Sequence, residues 1–218
     1  MPDLTFQIES VSATPNTATP QLSFKVWIAN AEPQPIHSIA LRAQVQIVPV
    51  RRRYTDEEKR RLRELFGEPE QWSKSLQPLL WTNANITVAS FTGKTLVDVP
   101  VPCTFDFNVA MTKYAYGLEC GELPVTLLFS GTVFFASPNI GLQVAQIPWD
   151  REASHRMPMS LWKELMDRYY PNTAVLSVKR ELFDRLYEFK TQNGIATWEQ
   201  AFERMLEAAG AKAAGAKV

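Results

Sequence analysis

Residues that commonly carry out catalysis or bind metals are scarce in this sequence. Its 218 residues include two cysteines, Cys103 and Cys120, and two histidines, His37 and His155. A Ser/His/Asp or Cys/His nucleophile system must use one of these histidines, and both are explained without it as surface or structural residues. The widely spaced cysteines and histidines also lack the close ligand pairs of a zinc site. We therefore expect no zinc, no cofactor and no enzymatic activity.

Net charge and long apolar runs are also absent. The 23 basic and 23 acidic residues cancel, so no overall charge attracts the protein to nucleic acid or to an anionic membrane. No apolar run reaches the roughly 18 residues of a membrane span, and the first residues lack the basic and apolar segments of a signal peptide. With two cysteines expected to be free thiols, the composition indicates a cytoplasmic location.

Strict alternation of apolar and polar residues is the main structural signal. Residues 97–109 are apolar at every second position, from Val97 to Val109, which is the period of a half-buried strand. Pro100 and Pro102 remove N–H donors from one edge, so the strand is predicted at a sheet margin. Its predicted neighbour is a central strand at residues 123–135. With shorter alternating segments elsewhere, the pattern predicts a mainly β fold, an antiparallel immunoglobulin-like β-sandwich of about seven strands, over residues 1–150.

Helices are predicted in two places. Thr55 and Glu58 match a capping box, and Gly67 ends the helix, so an inserted helix is expected within residues 55–81. After Pro158 the apolar period becomes helical, which predicts a helical appendage at 151–209 packed on the sandwich. Residues 210–218 are expected to be disordered. Residues 112–121 are ambiguous, and Gly93 is assigned to a hairpin turn rather than a phosphate-binding loop.

A basic cluster is the local exception to neutrality. Seven of the 23 positive residues lie within positions 51–63, next to Tyr54. Acidic residues are interleaved with them, and acids in the first helical turn with bases later are typical of a solvated helix. That interpretation is favoured, with an acidic protein partner or a nucleic acid as the alternatives.

Tryptophans in irregular segments are the other signal. Trp72, Trp81 and Trp149 lie near glycine, proline or strand ends, where aromatic residues either seal the rim of a core or anchor a partner. Sealing the core is the more common role. If an interface exists, it is predicted at Arg52, Arg53, Tyr54, Trp72, Trp81 and Trp149.

The whole pattern resembles an uncharacterised bacterial family of unknown function. The residues that carry the resemblance are Arg52, Arg53 and Tyr54; Leu65, Phe66, Gly67 and Glu68; Trp72 and Trp81; Phe91, Thr92 and Gly93; Pro102, Cys103, Thr104, Phe105 and Asp106; residues 128–133; and Pro148 with Trp149. The resemblance covers nearly all the chain except the tail. It implies genes near those of nickel–iron hydrogenases and their maturation proteins, and thus an accessory role, but it supplies no catalytic residues.

The sequence therefore favours a non-catalytic protein-interaction or assembly accessory module. Its expected partner is a protein, with a hydrogenase subunit or maturation factor implied by the resemblance. The main alternative is a sandwich that binds a small ligand or lipid in an apolar cleft. An enzyme of unrecognised type and a nucleic-acid-binding protein are the other two alternatives.

Overall fold

The computed structural model describes residues 2–106, 109–137 and 141–210. Within these residues, eight strands and seven α-helices form. The strands are β1 (Leu4–Ala13), β2 (Gln21–Asn30), β3 (Ile36–Ile47), β4 (Leu79–Val88), β5 (Lys94–Pro102), β6 (Glu122–Ser137), β7 (Gly141–Gln146) and β8 (Glu152–Pro158). The helices are α1 (Asp56–Arg61), α2 (Arg63–Phe66), α3 (Trp72–Ser75), α4 (Ala110–Gly117), α5 (Met159–Tyr169), α6 (Arg180–Gln192) and α7 (Trp198–Ala208).

The strands make two antiparallel sheets that face each other. The first has the order β1-β2-β5; in the second, β4, β3 and β6 are adjacent, and β7 and β8 pair with successive parts of the long strand β6. Phe6 of β1 stacks on Phe129 of β6 with ring centroids 4.2 Å apart, and Phe24 of β2 meets Trp81 of β4 edge-on at 6.5 Å. The predicted mainly β, antiparallel sandwich is therefore confirmed.

Strand β5 lies at a sheet margin, as its prolines predicted, but it is shorter than the alternation indicated. It ends at Pro102 and pairs with β2, so the predicted pairing with β6 is wrong. Cys103 and Phe105 leave the ladder yet stay buried, and Val109 lies at the N-cap position of helix α4. Alternation shows which residues face inward, but a chain leaving the sheet can keep burying every second side chain. Residues 107 and 108 of the predicted strand lie outside the described residues.

Three connections also differ from the sequence predictions. Gly93 links β4 to β5, which belong to different sheets, so its turn is not a hairpin. The ambiguous residues after Val109 form helix α4. Residues 152–158, predicted to begin the helical appendage, form β8 because Ala153 and Met157 face the core and the segment pairs with β6.

The chain divides into two compact units, Met1–Val175 and Leu176–Val218. The first contains both sheets and helices α1 to α5. In the second, α6 and α7 share a cluster of aromatic rings, and Thr197 caps α7 by accepting a hydrogen bond from the Gln200 amide at 3.2 Å. The predicted packing of the helical appendage on the sandwich stays a prediction. Of the predicted tail, residues 211–218 lie outside the described residues.

The longest of the described helices, α6, has 13 residues. Within the described part of the chain, no helix combines the length and the apolar composition needed to cross a bilayer.

Candidate interaction site

A buried ion pair holds the inserted helix in place. Thr55 and Glu58 form the predicted capping box at the start of α1, and Glu58 Oε2 accepts a hydrogen bond from the Thr55 amide at 3.0 Å. Glu58 Oε1 also accepts from the Glu119 amide at 2.9 Å and from Arg52 Nη2 at 2.6 Å. The two paired side chains are 9% and 2% exposed. The Arg52 side chain therefore has a structural role in the interior and is not a surface contact residue.

The same guanidinium joins the helix to the chain that enters β6. Arg52 donates to the carbonyls of Glu122 at 2.7 Å and Cys120 at 2.5 Å. Between them lies Gly121, where an added Cβ would stand 3.1 Å from Arg52 Nη1. Burial raises the pKa of Glu58, but the Glu119 and Thr55 amides and the Arg52 charge outweigh it and lower that pKa overall. Glu58 is therefore ionised at neutral pH.

The aromatic residues of the predicted interface are mostly structural. The Tyr54 hydroxyl lies 2.7 Å from the Tyr114 hydroxyl and donates to the Pro49 carbonyl at 2.8 Å, and burial raises the pKa of Tyr54 to about 12. Trp72 is buried, and its indole N–H donates to the Gly67 carbonyl at 3.0 Å. Trp81 is half-buried against the core. These contacts leave little of Tyr54, Trp72 and Trp81 for a partner.

Two of the predicted residues are fully on the surface. Arg53 is exposed, and the described residues supply no hydrogen-bond or ion-pair partner for it. Trp149 is 92% exposed in the loop between β7 and β8. The structure thus divides the predicted set, placing Arg52, Tyr54, Trp72 and Trp81 wholly or partly in the interior and Arg53 and Trp149 outside.

Two adjoining surface grooves bring Arg51, Arg53 and Arg156 together. One, of about 490 Å³, is lined by Arg51, Pro124, Val125, Ser154, His155 and Arg156. The other, of about 470 Å³, is lined by Arg51, Arg52, Arg53, Thr55, Glu58, Cys120, Gly121, Glu122 and Arg156. Arg51 and Arg156 line both, so the two form one continuous surface, which we call the arginine groove.

Positive charge exceeds negative charge in the arginine groove. Arg51 Nη1 donates to the hydroxyls of Ser154 at 2.9 Å and Thr126 at 3.5 Å, which orient the guanidinium without neutralising it. Arg156 lies 3.6 Å from Glu122, but both side chains are more than half exposed, and such pairs contribute little. Glu58, the other acid, is occupied by Arg52. Arg51 and Arg53 therefore have no carboxylate partner among the described residues.

The remaining reactive groups do not form a recognisable catalytic arrangement. Burial raises the pKa of Cys103 to about 12, so its thiol is protonated, whereas Cys120 is exposed. Burial also lowers the pKa of half-buried His155, which is therefore mainly neutral at pH 7. Among the described residues, no three His, Cys, Asp or Glu side chains lie close enough to hold a metal ion.

Sequence reasoning found only half of this groove. Arg51 and Arg53 belong to the basic cluster, but Arg156 and Ser154 are about a hundred residues further along, and their segment was predicted to begin the helical appendage. The missed signal is the period-2 placement of Ala153, His155 and Met157, which is weak because only Met157 is strongly apolar.

Comparisons with solved structures give distant similarities to parts of other proteins. A CARDB domain from Pyrococcus furiosus, solved with di-metal ions, shares 10% identity over 72% of this chain and 92% of that chain, with a TM-score of 0.28. An Arabidopsis thaliana protein shares 12% identity over 80% and 83% of the two chains, with a TM-score of 0.33. β-Glucosidase 3B from Thermotoga neapolitana shares 10% identity over 71% of this chain and 17% of that chain, with a TM-score of 0.26.

The sequence comparisons are more decisive. The search of curated proteins finds no match. A family model, however, matches residues 1–214, which is almost the whole chain. The chain belongs to this family, a family of unknown function (DUF6084).

Proposed function

We propose that the protein is a non-catalytic assembly module that binds an acidic segment of a partner protein in the arginine groove. The observation that carries the proposal is the gathering of Arg51, Arg53 and Arg156 on one surface, where Glu58 is occupied by Arg52 and Glu122 makes only an exposed ion pair with Arg156. Guanidinium groups bind carboxylates through paired hydrogen bonds, so such a surface fits Asp and Glu side chains.

Charge pairing outside the groove favours a protein partner over a nucleic acid. The bases of α1 and the residues after it are paired with nearby acids: Lys59 with Asp56, Arg60 and Arg61 with Glu57, and Arg63 with Glu68. Within the basic cluster of residues 51–63, the positive charge without an acidic partner is therefore confined to the groove, whereas nucleic acids are held by a longer series of phosphate contacts.

The partner that we propose is a subunit or maturation factor of a nickel–iron hydrogenase. The support is the gene neighbourhood that the family resemblance implies, together with the absence of a recognisable catalytic arrangement among the described residues. In this role the protein would bind and position a partner rather than transform a substrate.

Affinity purification with paired variants tests the proposal. The tagged full chain is purified from its native host in moderate salt, and bound proteins are quantified by mass spectrometry. Because reversing two groove charges converts attraction to repulsion, Arg53→Glu with Arg156→Glu should reduce recovery of the partner by about tenfold or more. Binding should also weaken as salt rises.

Arg168→Glu is the matched control, because Arg168 is an exposed arginine of α5 outside the groove. It should retain the partner at the wild-type level, and all variants should keep the wild-type melting temperature. Equal recovery with the groove variant and the control, or recovery of no partner by the wild-type chain, would contradict the proposal.

A further inference from the structure

The edge of strand β7 is unusually open to further pairing. The strand reads Gly-Leu-Gln-Val-Ala-Gln and contains neither a charged residue nor a proline. Its Leu142 and Val144 side chains are 59% and 58% exposed. Exposed apolar edges of this kind pair readily with another strand unless something prevents it.

The other sheet edges each carry a feature that discourages pairing. Strand β5 has Pro100 and Pro102, and β8 has the charged residues Glu152 and Arg156. The register shifts within β1 and β4 are bulges at Glu9 and Trp81. Prolines, charges and bulges are the usual protections of natural sheet edges. Among the described strands, β7 alone lacks all three.

The ladder between β6 and β7 shows which backbone groups are available. The Ile147 amide donates to the Gly131 carbonyl at 2.9 Å, so these two residues form a hydrogen-bonded pair. Because such pairs alternate along an antiparallel ladder, Leu142, Val144 and Gln146 direct their N–H and C=O groups away from β6. Within the described residues, no strand pairs on that side of β7, although the Leu142 carbonyl accepts a bond from the Gln143 side chain.

We propose that β7 is a self-association edge, and that a second copy of this chain adds its own β7 in antiparallel orientation about a two-fold axis at Val144. Val144 then lies opposite the same residue of the second copy, and Leu142 lies opposite Gln146. Three outward residues from each copy form about six backbone hydrogen bonds.

Charge supports a second copy as the occupant. In a two-fold interface, the same edge of both copies meets, so each residue lies near its equivalent or a neighbour of that equivalent. Charges of one sign on such an edge would repel each other, whereas β7 carries no charge. On the exposed face, Val144 meets Val144, and both Leu142 side chains flank this contact. The exposed apolar side chains of each copy therefore lie beside those of the other copy on the same face of the extended sheet.

The size of the edge predicts a weak dimer. Six residues extend about 20 Å, so the buried surface falls short of the roughly 800 Å² per partner of a stable complex. Association should therefore depend on concentration, with monomer dominating in dilute solution.

Sedimentation velocity of the full chain tests this edge directly. Between about 1 and 300 µM, a range suited to a small interface, the weight-average sedimentation coefficient of the wild type should rise toward that of a dimer. Val144→Lys places two like charges beside the axis and should keep the chain monomeric throughout. Leu80→Lys, on the exposed face of β4, is the control and should associate like the wild type. A monomeric wild type, or association of Val144→Lys at the wild-type level, overturns the proposal.

A cysteine variant tests the register. Opposite residues in a hydrogen-bonded pair have Cα atoms about 5.5 Å apart, which suits a disulfide. In a Cys120→Ser background, Val144→Cys should form a disulfide-linked dimer under mild oxidation, whereas Leu80→Cys should not. Equal cross-linking of the two variants would refute pairing centred on Val144.

Discussion

Removal of the Glu58 carboxylate should test how strongly the buried ion pair stabilises the fold. In Glu58→Ala, Arg52 keeps its charge and its contacts with two carbonyls but loses the one acidic partner that the described residues give it, while its side chain is 9% exposed. Breaking a buried pair from one side typically costs about 3–5 kcal/mol because the other charge is left uncompensated. The variant also removes the carboxylate that accepts hydrogen bonds from the Thr55 and Glu119 amides. We expect the free energy of unfolding to fall by about 3–5 kcal/mol.

Thermal and denaturant unfolding, followed by circular dichroism, measure this loss. For a chain of this size, each kcal/mol lost from the free energy of unfolding lowers the melting temperature by about 2–4 °C, so the melting temperature should fall by about 6–20 °C. Glu57→Ala is the control, since Glu57 makes exposed ion pairs with Arg60 and Arg61 worth less than about 1 kcal/mol. Equal losses in the two variants would refute the assignment of Arg52 and Glu58 to a structural role.

Three further results are expected. The pKa of Glu58 is lower in the folded protein than in the unfolded chain. The ionised carboxylate therefore stabilises the fold above the ordinary glutamate pKa, and this stabilisation is lost as the pH falls through the folded pKa. Between about pH 5 and pH 3, the melting temperature of Glu58→Gln should therefore fall less than that of the wild type. A thiol reagent should label Cys120 alone in the folded protein and both cysteines in denaturant, because Cys103 is buried and protonated. Gly131→Ala should cost at least about 2 kcal/mol in denaturant unfolding, because the new Cβ would meet the Ala40 carbonyl oxygen at 2.1 Å.

Much of the fold could be predicted because period-2 alternation records which side chains face the core. The same pattern says nothing about which strands pair, since any two alternating strands satisfy it. Pro100 and Pro102 therefore correctly predict an edge position for β5, while the alternation predicts the wrong neighbour for it. Helix α4 was ambiguous because Tyr114, Tyr116 and Leu118 alternate within a segment that also buries Met111 and Ala115.

The site was harder to predict than the fold for a related reason. The consecutive Arg51, Arg52 and Arg53 look equivalent in the sequence, yet Arg52 turns inward to Glu58 while Arg53 stays in solvent. Glu58, a buried acid six residues after Arg52, decides between these roles, and its burial depends on tertiary contacts. The hydroxyls that orient Arg51 come from β6 and β8, so that part of the groove exists only once these strands have paired.

The central position of β6 also has a consequence for how the protein is made. Its three partners are β3, synthesised long before it, and β7 and β8, synthesised after it. During synthesis on the ribosome, the edge of β3 that pairs with β6 therefore stays unpaired until the chain has grown past Ser137. Pairings between segments so distant in sequence form slowly, and a waiting edge can pair with another nascent chain. Chaperones are therefore expected to bind the nascent chain chiefly during that interval. A stall in translation before β6 emerges would leave a fragment that is prone to aggregate.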